Sequence, residues 1–139
     1  MIATATATTF VWLGMVVAIS FLETPLRFRA PGVDLSTGLA IGRLVFRGLN
    51  VVELVLATTV ILGVFIGGPH RAAPAALTAA ALLLAQLCAI RPLLGRRSDQ
   101  ILAGSDAPAR STTHHVYVVF EVAKVFVLLA TGVLLLGPP

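Results

Sequence analysis

Four long apolar stretches, separated by polar or breaker-rich segments, organise the chain. They run from about Thr4 to Leu22, Ile41 to Ile66, Ala72 to Ile90 and His114 to Leu136. A helix crosses the hydrocarbon of a bilayer in about 20 mostly apolar residues at about 1.5 Å each. Each stretch is near that length. The apolar runs are continuous rather than alternating, which predicts helices and not the strands of a barrel. The breakers fall where the helices should end. Pro25 and Pro31 follow the first span, and Gly67, Gly68 and Pro69 follow the second. Pro74 sits in the first turn of the third span, which Pro92 and Gly95 close, and Gly137, Pro138 and Pro139 stop the fourth. The first span lacks a basic leading region and is long for a signal peptide, so it is expected to be a retained helix. The expected fold is all-α: one integral-membrane four-helix bundle over residues 1–139, with long connections at about 23–40 and 91–113.

Composition narrows the class. Charged residues make up 12% of the chain and hydrophobic residues 58%. A soluble domain carries about 25% charged residues, so this chain has too little charge to cover a 139-residue globule. That excludes a soluble enzyme and a disordered chain. The 10 Lys and Arg are spread out, with no basic-aromatic cluster, which excludes a nucleic-acid partner. Their distribution sets an orientation. Arg27, Arg29, Arg43, Arg47, Arg91, Arg96, Arg97 and Arg110 flank the two long connections, and Arg71 alone lies on the other side. The positive-inside rule then places both long connections in the cytoplasm and both termini outside, in a bacterial-type inner membrane.

Ionisable residues within the spans need a reason, because each costs about 2.5–3.5 kcal/mol on insertion scales. In the fourth span His114, Tyr117, Glu121 and Lys124 recur at steps of three or four, with Thr131 further along the same face. In the second span Arg43, Arg47, Asn50 and Glu53 follow a similar spacing. Glu53 lies about 15–18 Å into its helix, and Glu121 and Lys124 about 10–16 Å into theirs, so they share a depth. Glu121 and Lys124 can pair as i,i+3 neighbours. Glu53 then needs Arg47, Lys124 or a proton. The polar stripes predict a seam between helices two and four. It reads either as a structural ion-pair network or as a proton-handling or ligand-binding site.

Other polar positions are expected to be structural. Glu23 should form an interfacial salt bridge with Arg27 or Arg29. Asp99 should pair with Arg96 or Arg97, or reach back to the bundle mouth. Gln86 should hydrogen-bond across the bundle, and Trp12 should pack or anchor. Gly38 with Gly42, and Gly63 with Gly67, match the GxxxG spacing, the latter pointing to tight packing or dimerisation. Cys88 is the single cysteine, so no intrachain disulfide can form. No CxxC, HExxH, Walker, GxSxG or Glu-x-x-His motif occurs, so neither cofactor nor metal is expected. His114 and His115 diverge by about 100°, and His70 lies at the opposite membrane face, which argues against a haem held by two histidines.

Short motifs add a resemblance. Trp12-Leu13-Gly14, Pro25 with Arg27-Phe28-Arg29, Gly42, Phe46-Arg47 and the His-Tyr start of the last helix resemble a bacterial group of small four-helix membrane proteins of unknown function. The eukaryotic relatives of that group include transmembrane protein 205. The resemblance implies a four-helix membrane fold and no defined activity. Glu53, Glu121 and Lys124 are not carried over from it.

Three functions fit these residues. The first is a cofactor-independent acid–base enzyme (an isomerase, cyclase or epoxide-opening enzyme) acting on a lipophilic small molecule. Glu53, Glu121 and Lys124 would be its catalytic residues, and Arg47, Asn50, His114 and Tyr117 would bind substrate. The second is a proton-linked transporter, which at this size would act as a homo-oligomer. The third is a non-catalytic subunit or assembly factor.

Overall fold

The computed structural model of the protein describes residues 1–68, 70–90, 92, 96, 99, 100, 103 and 112–138. All regular structure among them is helical. Helix α1 spans Ile2–Arg27 and α2 spans Leu35–Ile66. Helix α3 covers Ala73–Ala85 and continues as a π-helical turn over Gln86–Ile90. Helix α4 spans Thr112–Leu136. Helices α1, α2 and α4 are long and apolar enough to cross a membrane, and α3 is a shorter apolar helix.

Helices α1, α2 and α4 outrun the apolar stretches that predict them. Helix α2 begins at Leu35, where the Asp34 side chain caps it by accepting from the Thr37 N–H at 2.7 Å. Its 32 residues make it about 48 Å long, more than the roughly 30 Å of a bilayer core.

Helix α1 does not stop before Pro25. The proline ring lacks an N–H and crowds the carbonyl four residues back. The helix widens to a π turn over Val17–Glu23 directly ahead of Pro25 and then resumes as α-helix over Thr24–Arg27. Thr24 matches that wider register: its hydroxyl donates to the Ile19 carbonyl, five residues back, at 2.9 Å. The π turn of α3 likewise lies just ahead of Pro92. A proline inside an apolar run reads as a terminator. Here the longer register absorbs it.

Helix α1 packs against α2 and α4, and α3 packs against the same two. Helices α2 and α4 therefore stand across the diagonal of the bundle. Small residues set the α1–α2 approach. A Cβ on Gly63 would lie 2.9 Å from that of Ala5, and one on Gly67 would lie 2.7 Å from Ile2 Cδ1. The Gly63/Gly67 spacing thus serves packing within the chain. Inside, Trp12, Val16, Val60, Leu83 and Leu128 form the apolar core. Outside, Val51, Val55, Phe65, Val119, Phe126 and Val133 are exposed, while Glu53, Gln86, Glu121 and Lys124 are buried. That inverts the arrangement of a water-soluble protein.

Candidate functional site

Lys124 lies at the midpoint of α4, 12 residues from either end, and its side chain is fully buried. An ammonium has three donors and no acceptor. All three are used. Nζ bonds Glu53 Oε1 at 2.6 Å and Gln86 Oε1 at 2.8 Å, and it pairs with Glu121 Oε1 at 2.9 Å. Glu53 Oε1 also accepts from Trp12 Nε1 at 2.9 Å. Glu121 is held on both oxygens: Oε1 accepts from Gln86 Nε2 at 2.7 Å, and Oε2 accepts from the Ser20 hydroxyl at 2.6 Å. The Gln86 amide orientation follows from these partners. The flipped amide would turn its oxygen toward a carboxylate and its NH2 toward the ammonium.

Every helix contributes to this cluster. Trp12 and Ser20 come from α1, Glu53 from α2, Gln86 from α3, and Glu121 and Lys124 from α4. The two π turns carry Ser20 and Gln86, so both donors to Glu121 other than Lys124 come from widened turns. Moving charges into a low-dielectric interior costs several kcal/mol per ion unless partners replace their hydration. Lys124 and Glu121 have such partners in full. Glu53 does not: no described residue donates to its Oε2. The charge count shows the same imbalance, since two carboxyl groups face one ammonium.

The expected polar seam between helices two and four is in fact a four-helix cluster on the bundle axis. Glu53 and Lys124 meet across the diagonal because their side chains reach the axis from both sides. Tyr117, one turn before Glu121, is also buried. Its ring meets Phe46 of α2 edge-on, with centroids 6.0 Å apart. Asn50 is half-buried and Arg47 is exposed, and neither bonds a described residue. Arg47 is thus not the partner of Glu53. Six residues separate the two, which turns Arg47 about 120° away from Glu53 around the helix. The His114 side chain lies outside the described residues.

Trp12 and Ser20 are the members that reading the residues did not place here. For Trp12 a signal existed. Interfacial tryptophans sit near the ends of spans, whereas this one lies mid-span with an N–H that needs an acceptor. Ser20 carried no signal, because a lone serine in an apolar helix commonly bonds its own backbone.

A second buried charge lies where α1 turns into α2. Arg27 Nε donates to Glu23 Oε1 at 2.8 Å, Nη2 pairs with Glu23 Oε2, and Nη1 donates to the Gly38 carbonyl at 3.1 Å. Its guanidinium also lies near the Phe28 and Phe46 rings, 5.9 and 6.0 Å from their centroids. Gly42 gives this side chain its seat, since a Cβ there would collide with Nη1. The Glu23 salt bridge therefore goes to Arg27, and Arg29 stays exposed in the turn. Asp99 reaches the bundle mouth and pairs with Arg43 at 2.6 Å. An open groove of about 500 Å³ runs beside this corner, lined by Ala18, Leu22, Leu26, Ala30, Val33 and Ile41 with the Glu23–Arg27 pair. Among the described residues, no three His, Cys, Asp or Glu side chains converge as a metal site would require.

In comparison with known proteins, the chain matches no family model, no curated protein and no solved structure.

Proposed function

We propose that this chain is a multi-pass protein of a bacterial-type inner membrane, termini outside, whose axial cluster binds and releases a proton at Glu53 in proton-linked transport. The observation that carries the reading is the surplus carboxyl group. Lys124 balances one carboxylate, and Glu53 Oε2 has no donor among the described residues. Glu53 Oε1 is occupied by Lys124 and Trp12, so Oε2 is the oxygen left to take the proton. With that proton the cluster is neutral, and without it the cluster carries one excess negative charge in a buried interior. Such a group exchanges its proton when a conformational change or a hydrated path reaches it.

Transport is favoured over acid–base chemistry on a lipophilic molecule because of burial. The side chains of Glu53, Glu121 and Lys124 are 1%, 3% and 0% exposed. Almost none of their surface is open to a substrate. Four helices also enclose little volume, so transport calls for association of copies.

The test uses the single tryptophan of the chain, which bonds Glu53 directly. In vesicles, wild-type Trp12 emission is expected to change as pH is titrated, and an imposed pH gradient is expected to dissipate. Glu53→Gln keeps the Oε1 acceptor and removes the exchangeable proton, so both responses should vanish. An E53Q protein with wild-type titration and flux would overturn the reading.

A further inference from the structure

We infer that Arg47 and Asn50 form a separate site for the phosphate of an anionic phospholipid, drawn from the leaflet on the side of the long connections. The inference rests on the membrane placement proposed above, but not on proton exchange.

Depth is the first argument. Lys124 is at the middle of α4, and Glu53 Oε1 lies 2.6 Å from its ammonium, so Glu53 marks mid-depth on α2. Asn50 and Arg47 lie three and six residues nearer the basic end. That places them about 4.5 and 9 Å from mid-depth at 1.5 Å per residue. A hydrocarbon core about 30 Å thick extends about 15 Å from its centre, so both backbones are inside it.

Partnership is the second argument. Arg47 is exposed and Asn50 half-buried, and neither makes a hydrogen bond or ion pair to any described residue. The contrast with other arginines is direct. Arg27 is satisfied by Glu23 and Gly38, and Arg43 by Asp99. A guanidinium starting inside hydrocarbon must find an anion or extend to the headgroup layer.

Chemistry selects the ligand. Asn50 is i+3 from Arg47, so its amide donors lie beside the guanidinium along the helix. A guanidinium fork with an adjacent amide matches a phosphate, which offers several acceptors around one charge. The phosphate of a zwitterionic lipid is already balanced by its own ammonium, so the unpaired Arg47 guanidinium favours a lipid of net negative charge.

The experiment measures retained lipid. The protein is placed in nanodiscs with equal phosphatidylglycerol and phosphatidylcholine, and the lipid released with it in native mass spectrometry is counted. Wild type should retain the anionic lipid over the zwitterionic one by about tenfold or more, as a charged hydrogen bond would give. Arg47→Gln should bring the ratio near parity, Asn50→Ala should lower it partly, and Arg29→Gln should leave it unchanged. Equal retention by wild type, or an equal loss in R29Q, would overturn the site. Trp12 emission titrated on the same samples separates the two proposals. A normal titration without lipid selectivity sinks only the lipid site, and selectivity without titration sinks only proton exchange.

Discussion

Lys124 shows how much rests on one side chain in this bundle. It is the only cation bonded to Glu53 and Glu121 among the described residues, and its three N–H groups reach three side chains on three helices. Removing one partner of a buried ion pair costs about 3–5 kcal/mol, because the surviving charge stays behind uncompensated. Lys124→Met should therefore lower thermal stability in detergent steeply, by an amount of that order. Glu53→Gln should do the opposite of what its burial suggests. It leaves Lys124 and Glu121 as a balanced pair and removes the surplus carboxyl, so its melting temperature should equal or exceed that of wild type. The double variant should recover part of the K124M loss. Melting curves of the three proteins decide the matter, and a K124M protein as stable as wild type would show that the cluster carries no net charge penalty.

At the scale of the element, two short features govern the end of the bundle where α1 meets α2. The Asp34 carboxylate is held below its ordinary value of 3.8, first by the Thr37 backbone N–H and then by the Thr37 hydroxyl. A carboxylate lowered in the folded state contributes stability that is complete above its unfolded value. That contribution is lost as pH falls through the lower, folded value. Acidification from about pH 4 downward should therefore fray the first turn of α2, seen as a lower hydrogen-exchange protection factor at Thr37, and Asp34→Ala should show low protection at every pH. Gly42 is the second feature. It leaves the space that Arg27 fills while bonding Gly38 and Glu23. Gly42→Leu should evict the guanidinium and destabilise the α1–α2 corner by about 1–3 kcal/mol, the usual range for overpacking. Gly48 on the same helix has nothing within 4 Å of a Cβ, so Gly48→Leu should be nearly neutral in the same melting assay.

At the scale of the whole molecule, the proposed orientation rests on the asymmetry of arginine along the chain. In a Cys88→Ala background, Pro31→Cys should react with a membrane-impermeant maleimide only after cells are opened, and His70→Cys should react in intact cells. The reverse pattern would invert the proposed topology. The bundle order matters as much as the orientation. Because α2 and α4 are diagonal, the axis is the one place where all four helices can reach one another. A charged group placed there is removed from lipid in every direction.

Much of this was legible in the residues themselves. Four apolar stretches, the breakers between them and the scarcity of charge led to an all-helical bundle, since an exposed backbone has no partner in hydrocarbon. The i,i+3 spacing of Glu121 and Lys124 allowed their pairing, and the depth count put Glu53 level with them while leaving Arg47, Lys124 or a proton as its partner. Tertiary structure decided the rest, because the deciding quantities are relations between helices. Periodicity placed Arg47 on the stripe with Glu53, yet steps of three and four drift around the helix, and only the packing fixed which part of that stripe faces inward. Trp12 and Ser20 joined the cluster through the approach of α1 and a widened turn ahead of Pro25, neither of which a residue pattern encodes. The sequence by itself determined that charge would be buried and nearly where. The fold determined which side chains share it, because four helices meeting on one axis let Ser20 bond Glu121, 101 positions away.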